Sequence, residues 1–230
     1  MYNQFKEIER KIWEEEKQYL MKHVALGLIR SNALKIGDYT LASGKKSPYY
    51  VDLRQSISDP IAMDWIANAL TRIVINEIGR NKVDKIMGVP TAGVPFATLI
   101  SQKLAIPMLY YRKERKEHGV KKKVEGEMEK NDRIVMIDDL ITTGQSVIEA
   151  VDAAREQGGI VSELVVLLDR EQDGKKNLKK ANIETHVLFN VSMAFDWLLE
   201  IELISEKNYQ TIMDYITSER EKAEKLSRSV

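Results

Sequence analysis

Short apolar runs alternate with helical patterns through the central part of this 230-residue chain. The runs have the length of buried strands and are Lys85–Val89, Met108–Tyr111, Arg133–Ile137, Glu163–Leu168 and His186–Phe189. Apolar residues at three-to-four spacing predict helices between them at Val94–Leu104, Ser146–Gln157 and Lys175–Lys180. Strand and helix in turn favour right-handed βαβ units. We therefore predict an α/β fold with a twisted parallel sheet flanked by helices.

Both ends of the chain have helical spacing, at about Phe5–Ile29 and Phe195–Ser227. The Tyr-containing runs within Ile36–Leu53 predict strands, which would form a small N-terminal hood together with the first helix. Asp59 and Pro60 suit the N-cap and first residue of a further helix. We expect a single domain over residues 1–230, with the hood at 1–55, the core at 56–190 and a helical extension at 191–230.

Composition excludes several classes of protein. Thirty-five basic residues balance thirty-five acidic ones, so no overall field attracts nucleic acid or an anionic membrane. Cysteine is absent, which excludes a disulfide framework, a thiolate metal site and a cysteine nucleophile. Charges interrupt the first thirty residues, and no run approaches the length of a membrane span. We expect a cytoplasmic protein with neither nucleic acid nor membrane as a partner.

The most informative segment is Arg133–Ala150, RIVMIDDLITTGQSVIEA. A buried-strand pattern ends in Asp138 and Asp139, passes through a turn and enters a helix. Ligands of open parallel sheets bind beyond the carboxyl ends of strands, where the next helix offers unpaired N–H groups to a phosphate. The turn adds hydroxyl donors and a glycine that permits close approach: Thr142, Thr143, Gly144 and Ser146.

The known phosphate motifs and a glycosidase site do not fit this segment. No Lys-Ser or Lys-Thr follows Gly144 and three spaced glycines are absent, so it is neither a Walker loop nor a dinucleotide fingerprint. A glycosidase needs two carboxyl groups roughly 5 to 9.5 Å apart across one bond, whereas the neighbours Asp138 and Asp139 suit adjacent ribose hydroxyls better. The residues alone leave open a simple turn and helix cap.

The segment resembles the signature of type I phosphoribosyltransferases, which bind 5-phosphoribosyl-1-pyrophosphate (PRPP). That signature is a hydrophobic strand, two acidic residues, two apolar residues and a Thr-Thr/Ala-Gly turn. The resemblance implies that the acidic pair, with a catalytic role, contacts the ribose hydroxyls and that the turn wraps the 5-phosphate. It also implies that the loop Gly88–Gly93 receives pyrophosphate through Thr91 and Ala92. The PRPP-binding residues implied on the signature are Asp138, Asp139, Leu140, Ile141, Thr142, Thr143, Gly144, Gln145 and Ser146.

A basic loop, Tyr111–Lys123, carries seven Lys or Arg residues against two Glu. It could be a solvated charge run, or a nucleic-acid patch, although the balanced total charge disfavours the latter. In PRPP chemistry such a loop could close over the departing pyrophosphate and exclude water.

The stretch RKERKEHG resembles the mobile catalytic loop of orotate phosphoribosyltransferases. The resemblance implies pyrophosphate contacts from Arg112, Lys113, Lys116 and His118, with Lys116 as the main catalytic cation. It further implies a homodimer in which the loop enters the partner's site. After Gly119 the sequence is more similar to the corresponding domain of the bifunctional UMP synthases.

Two further segments, Ile36–Arg54 and Leu167–Leu178, resemble the same family. They imply that Tyr50, Val51 and Thr142 surround orotate and that Arg170 binds its carboxylate. Ala42 and Ala92 stand where many relatives carry lysines that face PRPP or its pyrophosphate.

The function implied is transfer of the phosphoribosyl group of PRPP to orotate in pyrimidine (UMP) biosynthesis. Mg²⁺ is expected, held mainly by pyrophosphate and ribose oxygens, and no metal site made by the protein alone is predicted. Two alternatives stay open: a phosphoribosyltransferase for another base, and a PRPP-binding regulator without turnover, which the alanines at Ala42 and Ala92 would suit.

Overall fold

The computed structural model describes residues 2–41, 44–112 and 123–228. Its strands are β1 (Leu34–Thr40), β2 (Lys46–Val51), β3 (Lys85–Gly88), β4 (Met108–Tyr111), β5 (Val124–Glu125), β6 (Arg133–Ile141), β7 (Ile160–Asp169) and β8 (Glu184–Asn190). Its α-helices are α1 (Tyr2–Arg30), α2 (Pro60–Ile73), α3 (Gly93–Leu104), α4 (Gln145–Glu156), α5 (Gly174–Lys180), α6 (Val191–Glu200) and α7 (Glu206–Arg228).

The central sheet has the strand order β5-β4-β3-β6-β7-β8. All neighbouring strands pair in parallel except β4 and β5, which are antiparallel. The predicted α/β fold is confirmed, and the sheet is mostly parallel. The sequence patterns did not predict β5, which has two residues and pairs with Tyr110 and Tyr111 at the sheet edge. Residues at the middle of β6, from Ile134 to Ile137, are fully covered, as expected for a strand with helices on both faces.

Helix α2 begins as its sequence predicts. The Asp59 carboxylate accepts hydrogen bonds from the N–H groups of Ile61 at 3.0 Å and Ala62 at 3.1 Å, and Pro60 is the first helical residue. The predicted inner face is buried at Ile66, Ala69, Leu70 and Ile73. Trp65, also predicted to face inward, is half-buried and stacks on His23 of α1 with ring centroids 4.1 Å apart.

Strands β1 and β2 form an antiparallel hairpin that packs against α7. Tyr49 of this hairpin is 1% exposed, and its ring lies 5.1 Å from Phe195 and 5.8 Å from Tyr215, measured between centroids. Helix α1 packs along α2 and contributes Leu20, Val24 and Leu28 to the same hydrophobic core. The α1 contribution ties the N-terminal region to the main core by apolar burial.

The helical pattern near the C-terminus corresponds to two helices. The chain leaves helical geometry after Glu200 and resumes it at Glu206, with Glu202 in the left-handed region at φ 58°. Helix α7 then reaches two other parts of the fold. Lys45 of the hairpin turn pairs with Glu219 at 3.0 Å, and Arg220 pairs with Glu171 just after β7. Of the helices described, none is both long and apolar enough to cross a membrane.

A charged cluster joins α1, the end of α2 and the sheet. His186 of β8 contacts Glu77 through Nδ1 and Glu163 through Nε2, each at 2.8 Å, while Lys17 of α1 donates to Glu77 at 2.7 Å. Burial lowers the pKa of His186, but its two carboxylate partners raise it more, so it lies above the usual 6.5. Burial raises the pKa of Glu77, and hydrogen bonds from His186 and Lys17 outweigh it and bring the value to about 2.

We predict that His186→Gln destabilises the protein in a pH-dependent way. A raised pKa means that the charged histidine stabilises the fold fully below its unfolded pKa and loses this effect as pH rises through the folded pKa. The variant should lose about 2 kcal/mol of unfolding free energy near pH 6, and the loss should shrink in alkaline buffer. Urea unfolding of both proteins over a pH series measures it, and a loss independent of pH would contradict the assignment.

Candidate active site

The strand order reverses direction at β3 and β6, because β4 lies beyond β3 on one side and β7 beyond β6 on the other. Such a switch point is where open α/β sheets bind ligands. A cavity of about 330 Å³, the main cavity, lies there at the carboxyl ends of these strands. Its lining residues are Val51, Asp52, Leu53, Arg54, Pro90, Thr91, Ala92 and the continuous stretch from Asp138 to Val147.

The loop between β3 and α3 forms one wall of the main cavity. The Val89 N–H donates to the Ile137 carbonyl at 2.9 Å, and the peptide bond between Pro90 and Thr91 is cis. A Cβ atom at Gly93 would lie 2.5 Å from the Ile137 carbonyl oxygen and 3.1 Å from the Cα of Asp138. Glycine is therefore required for the loop to come this close to β6.

Strand β6 continues through the two aspartates to Ile141, and the turn Thr142–Gly144 leads into α4. Gly144 has φ 80°, in the left-handed region that glycine adopts without strain. Helix α5 supports the turn from behind: Asn177 Nδ2 donates to the Thr143 carbonyl at 3.1 Å, and a Cβ atom at Gly174 would lie 2.5 Å from the Thr142 carbonyl oxygen. The turn thus has a fixed position relative to the sheet.

The first residues of α4 line the main cavity, and their N–H groups are available to a ligand. Gly144 precedes this twelve-residue helix without a side-chain cap, and Gln145 and Ser146 at its start are exposed. Unpaired N–H groups and the helix dipole favour a negative charge there. The turn and the helix start can therefore hold a phosphate group.

Asp138 and Asp139 lie beside this position, on the last part of β6. The Asp139 N–H donates to the Asp138 carboxylate at 2.9 Å. Burial raises the pKa of the Asp139 carboxyl, while hydrogen bonds from Asp138 and the Leu140 backbone and the nearby charge of Arg54 oppose the rise. Two acceptor-rich carboxyls next to a phosphate position suit a sugar phosphate with free hydroxyls.

The hairpin side of the main cavity includes residues that the sequence patterns did not single out as site residues. These residues are Asp52, Leu53 and Arg54, which follow Val51 directly. Asp52 caps a short 3₁₀ turn at Leu53–Ser58, which contains the other two. Arg54 donates to Asp52 through Nε at 2.6 Å and Nη2 at 3.0 Å. The signal that could have found them is adjacency to Val51, since a turn that leaves a site-lining strand continues along the same wall.

Arg112 lies at a second, more apolar cavity of about 570 Å³ that shares Pro90 and Thr91 with the main cavity. Its Nη1 donates to Glu125 at 2.9 Å, so β5 fixes this residue at the base of the basic loop. Three other residues implied for pyrophosphate, Lys113, Lys116 and His118, lie outside the described residues. The same is true of Ala42.

Arg170 and Tyr50, implied for the base, are not among the residues that line the main cavity. Arg170 is nevertheless adjacent, because its N–H donates to the Ile141 carbonyl at 3.0 Å. Its guanidinium carbon lies 5.8 Å from the Tyr49 ring centroid, and its buried Nε has no hydrogen-bond partner among the described residues. The Tyr50 ring lies 5.6 Å from that of Tyr39.

The structure thus brings together most of the residues implied for PRPP. They are Thr91, Ala92, Asp138, Asp139, Leu140, Ile141, Thr142, Thr143, Gly144, Gln145 and Ser146, with Val51 from the base set. Within the described part of the chain, no three His, Cys, Asp or Glu residues form a group that could hold a metal ion.

Similarity to known proteins agrees with this arrangement. The family model "Phosphoribosyl transferase domain" matches residues 56–196. The orotate phosphoribosyltransferase of Pyrobaculum islandicum is 36% identical over 200 residues, which are 86% of this chain and 98% of the relative. That of Staphylothermus marinus is 35% identical over 201 residues, 87% of this chain and 97% of the relative.

Solved structures show the same fold. UMP synthase of Leishmania donovani aligns with a TM-score of 0.74 and 31% identity over 85% of this chain, which spans 42% of that longer chain. Orotate phosphoribosyltransferase of Aeropyrum pernix aligns with a TM-score of 0.68 and 27% identity, over 79% of this chain and 99% of that one. On the family match and these near full-length relatives, the chain belongs to the orotate phosphoribosyltransferases, within the phosphoribosyl transferase domain family.

Proposed function

We propose that the main cavity binds PRPP and that the protein transfers its phosphoribosyl group to orotate, giving orotidine 5′-monophosphate and pyrophosphate for UMP synthesis. The observation that carries the proposal is the grouping of Asp138, Asp139 and the uncapped start of α4 in one cavity at the β3–β6 switch point. Membership of the orotate phosphoribosyltransferases supplies the chemistry that this grouping would serve.

In the proposed complex, the 5-phosphate accepts hydrogen bonds from the N–H groups at the start of α4 and from the hydroxyls of Thr142, Thr143 and Ser146. The Asp138 and Asp139 carboxylates accept hydrogen bonds from the two ribose hydroxyls. The pyrophosphate lies against the loop that contains Thr91 and Ala92. Because the loop and β6 are in direct backbone contact, the two ends of PRPP are held at a fixed separation.

Orotate would bind beside Val51 and Thr142, with its carboxylate on Arg170. Arg170 suits this role because it lies next to Ile141 of the cavity wall and its Nε has no partner among the described residues. A guanidinium presents paired donors that match a carboxylate. Tyr50 remains a candidate for the wall of the base site on the family resemblance.

The reaction forms a bond between a ring nitrogen of orotate and the anomeric carbon, and breaks the bond from that carbon to pyrophosphate. Pyrophosphate leaves with the bonding electron pair, so negative charge grows on it as the ribose becomes cation-like. Arg112, Lys113, Lys116 and His118 would stabilise this charge once the basic loop closes, with Lys116 as the main cation. The ring nitrogen of orotate loses its proton readily, which removes the need for a strong general base.

We further propose that Mg²⁺ accompanies PRPP. The donors available in the main cavity are carboxylate and hydroxyl oxygens, which suit this ion, and substrate oxygens would complete its coordination. When bound, Mg²⁺ supplies charge neutralisation on the pyrophosphate. On this chain, Asp138 and Asp139 are the residues that would hold the ion.

A homodimer in the cytoplasm completes the proposal. It rests on the resemblance of the basic loop to loops that act across a dimer. Arg112, at the base of that loop, lines a cavity that shares Pro90 and Thr91 with the main cavity, so the loop starts close to the proposed pyrophosphate position.

The primary test follows orotate absorbance with PRPP and Mg²⁺. Wild type should consume orotate, and Lys116→Ala should lower kcat by about 10² to 10³-fold because it removes a cation from the transition state. The control is Lys103→Ala, which should keep normal activity. Lys103 is an exposed residue in the last turn of α3, outside the lining of the main cavity, and pairs with Asp64 of α2. A wild-type protein that binds PRPP without consuming orotate would instead identify a non-catalytic binder.

Arg170→Ala tests the base. Loss of the carboxylate contact should raise the KM for orotate by about ten- to one-hundred-fold and leave the KM for PRPP unchanged. Arg170→Lys keeps the charge without the paired donors and should recover only part of the affinity. Unaltered orotate kinetics in Arg170→Ala would point to a different base or a different carboxylate contact.

Mixing two inactive variants tests whether the loop acts in trans. Lys116→Ala and the double variant Asp138→Asn, Asp139→Asn are mixed after reversible dissociation. If the loop enters the partner's site, half of the dimers are hybrids with one intact site, so about a quarter of wild-type activity returns. Activity that stays at the level of the parents would show a loop that serves its own subunit.

A further inference from the structure

The main cavity has a charge imbalance that the family resemblance does not explain. Its described lining contains three acidic side chains, those of Asp52, Asp138 and Asp139, and one positive side chain, that of Arg54. PRPP is a polyanion, and Ala42 and Ala92 stand where many relatives have lysines that face it. Ala92 lines the main cavity and is 4% exposed, so the wall beside the proposed pyrophosphate position is apolar there.

Arg54 is fixed in place by Asp52, yet its side chain is exposed enough to contact a ligand. Its side chain is 61% exposed although Asp52 binds it through two nitrogens. The two hydrogen bonds use Nε and Nη2, so Nη1 takes no part in joining Arg54 to Asp52. The Asp52 partner raises the pKa of the guanidinium, which keeps it charged, and reduces the freedom that a long side chain loses on binding a ligand.

Arg54 lines the main cavity together with Ala92 and Asp139, so its guanidinium shares the space proposed for the ribose and the pyrophosphate. The charge of Arg54 also opposes the raised pKa of Asp139, and Asp139 adds to the raised pKa of Arg54. In the proposed complex, the 5-phosphate already accepts hydrogen bonds from the start of α4 and from the hydroxyls of the adjacent turn. The pyrophosphate, by contrast, meets Ala92 where a cation would be expected.

We propose that Arg54 is a PRPP-binding residue of this protein, that its guanidinium contacts the pyrophosphate group, and that it supplies charge absent at Ala42 and Ala92. This inference rests on the proposed function and specifies a residue within it. Asp52 is a positioning residue, since it would act through Arg54. The contact strengthens as charge develops on the leaving pyrophosphate, so Arg54 contributes to both binding and turnover.

The test compares Arg54→Gln and Arg54→Lys with a matched control. Arg133 forms the same two-nitrogen pair with Asp84, through Nε at 2.7 Å and Nη2 at 2.8 Å, at the opposite end of β6 from the main cavity. Arg133→Gln thus removes a similar surface ion pair without touching the site. Thermal unfolding of all three variants checks that each is folded.

Arg54→Gln should raise the KM for PRPP by about ten- to one-hundred-fold, the loss of one charge-assisted contact, while the KM for orotate stays unchanged. Arg54→Lys should recover part of the loss, and Arg133→Gln should behave as wild type. Inhibition by inorganic pyrophosphate should weaken in Arg54→Gln by a factor similar to that for PRPP, whereas inhibition by ribose 5-phosphate should not change.

An unchanged KM for PRPP in Arg54→Gln, or equal weakening of pyrophosphate and ribose 5-phosphate inhibition, would overturn the inference. Calorimetric titration with PRPP and Mg²⁺ separates this failure from failure of the proposed function. If wild type binds PRPP but does not use orotate, the reaction assignment fails, and weaker PRPP binding by Arg54→Gln still supports the role of Arg54. Equal PRPP binding by the two proteins would rule that role out.

Discussion

The loop that follows β3 comes into backbone contact with β6 at Ile137, and the geometry of the site depends on this contact. Gly93 has no room for a Cβ atom because the Ile137 carbonyl oxygen would lie 2.5 Å from it. The close approach places Thr91 and Ala92 beside Asp138 at the switch point of the sheet. Both loops then present backbone groups to one cavity, and backbone groups need no reorganisation when a ligand binds. In the proposed complex, this contact would set the spacing between the 5-phosphate and the pyrophosphate.

In the proposed complex, the charges around PRPP come from two parts of the chain, the described cavity wall and the basic loop. In the described part of the cavity wall, carboxylates outnumber the guanidinium of Arg54. A polyanion such as pyrophosphate would be held weakly by such a wall alone. In the proposed mechanism, the basic loop supplies further positive charge during the reaction and is withdrawn afterwards. Such a mechanism would favour product release, because a permanently cationic pocket would retain pyrophosphate.

Sequence patterns predicted the sheet, α2 and the turn between β6 and α4 because each has a strong local cause. Buried strands need continuous apolar residues, and Asp59-Pro60 caps α2 through two short hydrogen bonds. Features set by distant contacts were not predictable. Strand β5 exists through pairing with Tyr110 and Tyr111, and the helical pattern after Phe195 does not reveal the break at 201–205. Arg54 belongs to no phosphate motif, and its signal in the sequence is limited to its adjacency to Val51.

Helix α7 connects the β1–β2 hairpin to the segment that follows β7, two parts of the chain that no strand pairing joins. Lys45 on the hairpin turn pairs with Glu219, and Arg220 pairs with Glu171 beyond β7, one residue from Arg170. Both segments are therefore tied to one helix, so in the proposed complex the position of α7 would set the distance between the hairpin and Arg170. Variation in the length or sequence of the carboxyl-terminal segment among homologues would then retune substrate access while every residue that touches the nucleotide stays the same.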